Sequence, residues 1–184
     1  MSLVAELRPR DKQEAGLAAP TVIMLTEAEM ELARRLASLR NNPKVEAKTA
    51  NYRIANRDDW RLHFDGTRAE VACGRVAGFP VDISFDFGGD NKRADIYFGE
   101  LRGEVKACTY RPPIVKFNAL TDFVADVVVV CYVTHPEHRE AANVEIWGCI
   151  SRRKFLRTHE QHDFGHGVRA VVGHELLSPI SVLL

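Results

Sequence analysis

Seven consecutive residues, Val127-Val128-Val129-Val130-Cys131-Tyr132-Val133, constrain this chain more than any other stretch. They carry no charge and most are β-branched, which suits a pleated strand better than a helix. A run this short and this continuously apolar predicts a central strand covered on both faces. Such a strand needs packed elements above and below it, so the chain must build a layered, mixed structure.

The flanking patterns supply those elements. Thr26 and Glu29 have capping-box spacing, and Leu25, Ala28, Leu32, Ala33, Leu36 and Leu39 fall on one helical face, with Asn41-Asn42-Pro43 as the stop. A second helix is expected from Thr67, with Ala69, Ala72, Cys73 and Val76 on one face and Gly78 and Pro80 beyond its end. Val81, Ile83, Phe85 and Phe87 alternate with Asp82, Ser84 and Asp86, predicting a half-buried strand closed by Gly88-Gly89-Asp90-Asn91. Further strands are expected at Ala94–Phe98, Gly103–Cys108, Ile114–Leu120, Val144–Ile150 and Val168–Val172. The loop Gly99–Arg102 is short enough for an antiparallel hairpin. The fold class is therefore α/β (α+β): a central mixed sheet flanked by helices. Residues 1–20 read as a mobile arm, 21–43 as an accessory helix and 44–184 as the main domain.

Apolar residues make up 46% of the chain, enough for a real core, and Lys plus Arg balance Asp plus Glu at 25 each. No global basic field advertises a nucleic-acid partner, although a local basic patch facing an acidic site also sums to zero. Cys73, Cys108, Cys131 and Cys149 form no CxxC pair and have apolar neighbours, as expected of buried free thiols in a reducing cytoplasm. No apolar run approaches the ~20 residues that span a bilayer, and the start of the chain has no apolar signal core. A soluble, cytoplasmic protein is expected.

The candidate chemistry lies in Gly103-Glu104-Val105-Lys106. Residues two apart on a strand share a face, so Glu104 and Lys106 project together. The hairpin brings Asp95 alongside, where it and Glu104 can converge on one ion. Magnesium takes hard oxygen ligands, commonly one or two carboxylates, and a lysine beside it can orient water or stabilise negative charge. Acidic-any-lysine also occurs at Glu46-Ala47-Lys48 and Asp90-Asn91-Lys92. Only the Glu104 instance sits on an expected strand beside another strand that bears an acid.

Asp95, an eight-residue gap, then Glu104-Val105-Lys106 resembles the signature of the PD-(D/E)xK, or restriction-endonuclease-like, nuclease superfamily. Gly66-Thr67-Arg68-Ala69-Glu70 is similar to the helix that carries an auxiliary glutamate in that family. Val144–Arg153 resembles the closing strand and basic tail of small phage-type and restriction-type members. Asp163-Phe164-Gly165-His166-Gly167 and Leu176-Leu177-Ser178-Pro179 resemble their C-terminal ends. Ala94 replaces the motif's proline, and Pro112-Pro113 falls where larger members place a long helix. The resemblance implies a magnesium-dependent deoxyribonuclease, with manganese as an alternative metal. Asp95, Glu104 and Glu70 would be metal ligands, Lys106 would position or activate the attacking water, and Arg152, Arg153 and Lys154 would contact DNA phosphates.

Rival readings attach to the same residues. Asp95, Glu104 and Lys106 also suit a plain cross-strand charge cluster. Thr67 and Glu70 have capping-box spacing, which would make Glu70 a helix cap. His159, His162 and His166 are interrupted by Gly165 and read as polar loop residues rather than zinc ligands. At the level of the whole chain, one alternative is a catalytically weak or silent nuclease-fold module that binds nucleic acid or a protein partner. Another is a homodimer joined through the Leu32/Leu36/Leu39 stripe.

Overall fold

The computed structural model describes residues 19–46, 59–78, 94–133, 142–165 and 167–184, the side chains of 41–46 and 59 excepted. The strand expected at Val81–Phe87, with Asp82, Asp86 and Asp90, lies outside the described residues, as does nearly all of the expected N-terminal arm.

The valine run is β5 (Val127–Val133), the middle of a five-stranded sheet. It pairs in parallel with β3 (Leu101–Cys108) and antiparallel with β6 (Asn143–Ser151). Strand β2 (Ile96–Phe98) flanks β3 and β1 (Thr21–Met24) flanks β6, giving the order β1-β6-β5-β3-β2. The alternation of β5 feeds two cores. Val127, Val129, Cys131 and Val133 pack toward the helices α1 (Glu27–Glu46) and α2 (Asp59–Ala77). Val128 and Val130 pack on the other side against Phe117, Phe123, Phe155 and Ile150. Every residue of β5 except Tyr132 is buried, as the apolar run required.

The second core is roofed by a three-stranded antiparallel sheet, β4 (Ile114–Phe117), β8 (Val168–Gly173) and β7 (Glu160–Asp163), in the order β4-β8-β7. Val115, Phe117, Ala170 and Val172 face inward from it. Phe117 stacks on Phe123 at 4.7 Å between centroids, and both meet the edge of Phe155. The expected edge strand Ile114–Leu120 is real but stops at Phe117. A 3-10 turn, Leu120–Asp122, follows, with the Asp122 carboxylate accepting the Ala119 N–H at 3.0 Å. The basic tail after β6 is a helix, α3 (Arg152–Thr158), whose N-cap Ser151 accepts the Lys154 N–H and whose Phe155 is buried.

Both long helices differ from their expected bounds. Helix α1 runs through Pro43 to Glu46. An interior proline costs a helix roughly 3 kcal/mol, so the sequence signal for a stop there is a strong one. The buried face of α1 is Met30, Ala33, Leu36 and Ala37, while Leu32 and Leu39 are 37% and 50% exposed. The interface therefore centres on Ala33, Leu36 and Ala37, and of the expected leucine stripe Leu32 and Leu39 stay outside it. Helix α2 starts at Asp59, well upstream of Thr67. Thr67 is thus not a cap: its hydroxyl donates to the Ala33 carbonyl of α1 at 2.9 Å and to Phe64 O at 3.1 Å. No described helix is long and apolar enough to cross a membrane.

The capping box of α1 forms as expected. Thr26 N–H reaches Glu29 Oε2 at 2.6 Å, and Glu29 N–H reaches Thr26 Oγ1 at 3.3 Å. Arg75 of α2 adds an ion pair to Glu29 at 3.2 Å. Burial pushes the Glu29 carboxyl up, but the Thr26 hydrogen bonds and the Arg75 charge outweigh it and hold the group below its ordinary value. A carboxylate depressed on folding contributes stability above its unfolded value, and that contribution is lost as pH falls through the folded value. Glu29→Gln keeps the capping-box pattern but loses the charge facing Arg75, and is expected to cost about 0.5 kcal/mol at neutral pH. Its urea-unfolding stability should converge with that of the parent as pH falls through the lowered folded value of Glu29. A constant offset across the acid range would contradict this assignment.

Candidate active site

A two-residue turn, Gly99-Glu100, folds β2 back on β3, and Gly99 takes φ +60°, a conformation that favours glycine. The register Ile96↔Gly103 sets Asp95 just beyond the last paired residue of β2. There its side chain meets the backbone of β3: Asp95 Oδ2 accepts the Val105 N–H at 2.7 Å. One carboxylate oxygen is thereby fixed in direction by the backbone of β3.

Strand alternation divides β3 between the two cores. Val105 is buried on the helix side, while Glu104 and Lys106 project to the opposite face. Lys106 Nζ lies 2.5 Å from Glu104 Oε1 and 4.8 Å from the centroid of the Phe117 ring. Asp95, Glu104 and Lys106 all line one cleft of about 680 Å³ between β3, β4 and the 3-10 turn. Arg102, Lys116 and Asp122 line it too, so three cations face three carboxylates. Such a lining can hold a cation and an anion side by side.

Glu70 is placed elsewhere. Because α2 begins at Asp59, Glu70 sits in the middle of the helix and turns toward α1. Its two oxygens take a bidentate ion pair from Arg40, at 2.6 and 2.7 Å, and its side chain is 7% exposed. It does not line the cleft, and it stands on the helix-bearing side of the sheet from which Glu104 and Lys106 point away. The expected three-carboxylate set Glu70, Asp95 and Glu104 is therefore not assembled. Among the described residues no group of three or more His, Cys, Asp and Glu is placed to hold a metal ion. Of the expected set, Asp95 and Glu104 share the cleft, with Asp122 as its third carboxylate.

The basic tail is partly committed to structure. Arg152 Nε donates to the Phe123 carbonyl at 2.6 Å and its backbone N–H to Asp126 O, tying α3 to the rim beside Val124 and Ala125. Arg153 is exposed, Lys154 is half-buried, and neither lines the cleft. His162 belongs to β7 rather than to a loop, His159 stacks on Phe155, and His166 lies outside the described residues. Trp147 is anchored by donation to Glu145 at 3.1 Å and packs edge-on against His174. The four cysteines are free and buried, as expected; burial pushes the Cys108 and Cys149 thiols up to about 11.

Two cleft cations escaped the sequence reading. Arg102 was within reach, since it precedes Glu104 by two residues and alternation alone puts it on the same face. Its N–H, Nε and Nη2 all engage Asp126, at 2.9, 3.2 and 3.3 Å, and those bonds hold the Asp126 carboxyl below the usual range. Lys116 had no local signal, because only the fold of the crossover after β3 carries it to the cleft.

No protein-family model, curated protein or solved structure matches this chain.

Proposed function

We propose that this chain is a metal-dependent nuclease of the restriction-endonuclease-like class, hydrolysing phosphodiester bonds in DNA at the Asp95/Glu104/Lys106 cleft. The observation that carries this reading is the meeting of those three side chains in one cleft, on a hairpin that follows a long helix. Its order of helix, acid-bearing hairpin and parallel neighbouring strand supports the same reading. The crossover to that strand holds β4 and a 3-10 turn where larger members of the class place a long helix.

The donor set fits magnesium: two carboxylates supply hard oxygens, and magnesium usually keeps several waters and takes substrate phosphate for the rest. Asp95 and Glu104 would hold it, and when bound it would acidify water and neutralise charge on the phosphate. The protein's own contribution is positional. The Val105 N–H orients Asp95, Glu104 holds the Lys106 side chain by an ion pair, and Lys106 would meet the negative charge growing on the phosphate oxygens. Lys116 and Arg102 extend the cationic side of the cleft for the neighbouring phosphates of a strand.

A second reading, a silent nuclease-fold module, draws on one observation: Glu70 is withdrawn into an ion pair with Arg40. Incubation with plasmid, linear and branched DNA, each with magnesium, manganese or chelator, separates the two. The nuclease should cut with either metal and stop in chelator. Binding with steep salt dependence and no cleavage under any metal would overturn the enzyme and leave the module.

A further inference from the structure

We infer that the cleft takes single-stranded nucleic acid, with Tyr110, Lys116 and Phe164 forming a platform for its unpaired bases; this rests on the nuclease reading of the cleft. Lys116 is the hinge of the argument, because it lines the cleft and also reaches out of it. Its Nζ lies 5.4 Å from the centroid of the Tyr110 ring and 5.6 Å from that of Phe164. Both rings are 38% exposed. His162 meets Phe164 edge-on at 4.5 Å, and β7–β8 pairing puts Arg169 opposite His162 on the same outer face.

Phe164 is held at this surface rather than buried. The Asp163 carboxylate accepts the Gly165 N–H at 2.8 Å, and Gly165 takes φ +80°, so the chain turns tightly just after the ring. The inner residues of the same sheet, Val115, Phe117, Ala170 and Val172, form the core beneath it, and Phe164 is not among them. Rings on the surface beside cations, continuous with a charged cleft, are what a flexible strand with splayed bases requires.

Charge decides between single strands and duplex. Duplex binding draws mainly on phosphate contacts made by a basic surface, and the cleft sets Asp95, Glu104 and Asp122 against its three cations. The outer face itself carries Glu160 beside Lys116 and Arg169, and Asp163 borders it. Stacking on aromatic rings needs no net positive field, but it does need bases that are not already stacked inside a helix.

The test is fluorescence anisotropy in chelator, so that nothing is cut. The probes are labelled oligothymidylate, oligouridylate and a duplex, each on the order of ten nucleotides long. Both single strands should bind more tightly than the duplex, and the two single-strand arms tell DNA from RNA. Phe164→Ala, at an exposed ring, should keep its melting temperature and weaken single-strand binding about tenfold. Lys116→Ala should lower the slope of log affinity against log salt by about 0.7. Equal or tighter duplex binding, or unchanged binding in Phe164→Ala, overturns the inference. Cleavage in magnesium together with unchanged Phe164→Ala binding removes the platform and keeps the nuclease. Binding that Phe164→Ala abolishes, with no cleavage in any metal, does the reverse.

Discussion

Lys106→Ala is expected to reduce metal-dependent cleavage by about two to three orders of magnitude in single-turnover rate, the usual effect of removing one group that meets developing charge. The side chain is 38% exposed and its partner Glu104 is 22% exposed. Loss of so solvated a pair should therefore change stability by no more than about 1 kcal/mol. The two effects separate cleanly: a large fall in rate with a nearly unchanged urea midpoint. Lys106→Arg should recover little, because a planar guanidinium does not place a compact charge at the same point beside the Phe117 ring. Glu104→Gln and Asp95→Asn should also be inactive. Asn is the better probe at 95, since its side-chain oxygen can still accept the Val105 N–H that Ala would leave unmet. Full cleavage by a folded Lys106→Ala protein would remove this site from consideration.

The largest expected loss of stability lies elsewhere, at the pair between α1 and α2. Arg40→Ala takes the bidentate partner away from the Glu70 carboxylate, whose side chain is 7% exposed. Removing one member of a buried pair costs roughly 3–5 kcal/mol. The low end is expected here, because the Arg40 side chain is itself 28% exposed. Arg40→Met combined with Glu70→Met should recover most of that loss, because it removes both charges and keeps the volume. Urea unfolding of the two variants measures the difference. Glu70→Gln should still cleave below its lowered melting temperature, because Glu70 does not line the cleft. Loss of cleavage in folded Glu70→Gln would return Glu70 to the site.

Local pattern carried much of this. The β5 run demanded cover on both faces and has it. Period-two alternation placed Glu104 and Lys106 together, and the short turn after Phe98 brought Asp95 to them. These are contacts between near neighbours in the chain, where backbone geometry alone settles which side chains meet.

Glu70 shows where that reach ends. Its spacing from Thr67 is equally good for a cap, for an auxiliary ligand or for the middle of a helix. Which one holds depends on where α2 starts and on which helix lies against it. Packing with α1 settled both: it extended α2 back to Asp59, bound Thr67 to Ala33 and drew Glu70 to Arg40. Lys116 is the converse case, a residue with no local signature that gains a role because β4 folds against the far face of the large sheet. Residue types and short-range spacing dictated the strands, the hairpin and its charged face. The partner of each helix and the far wall of the cleft came from contacts between distant segments, whose energies no local window of the chain contains.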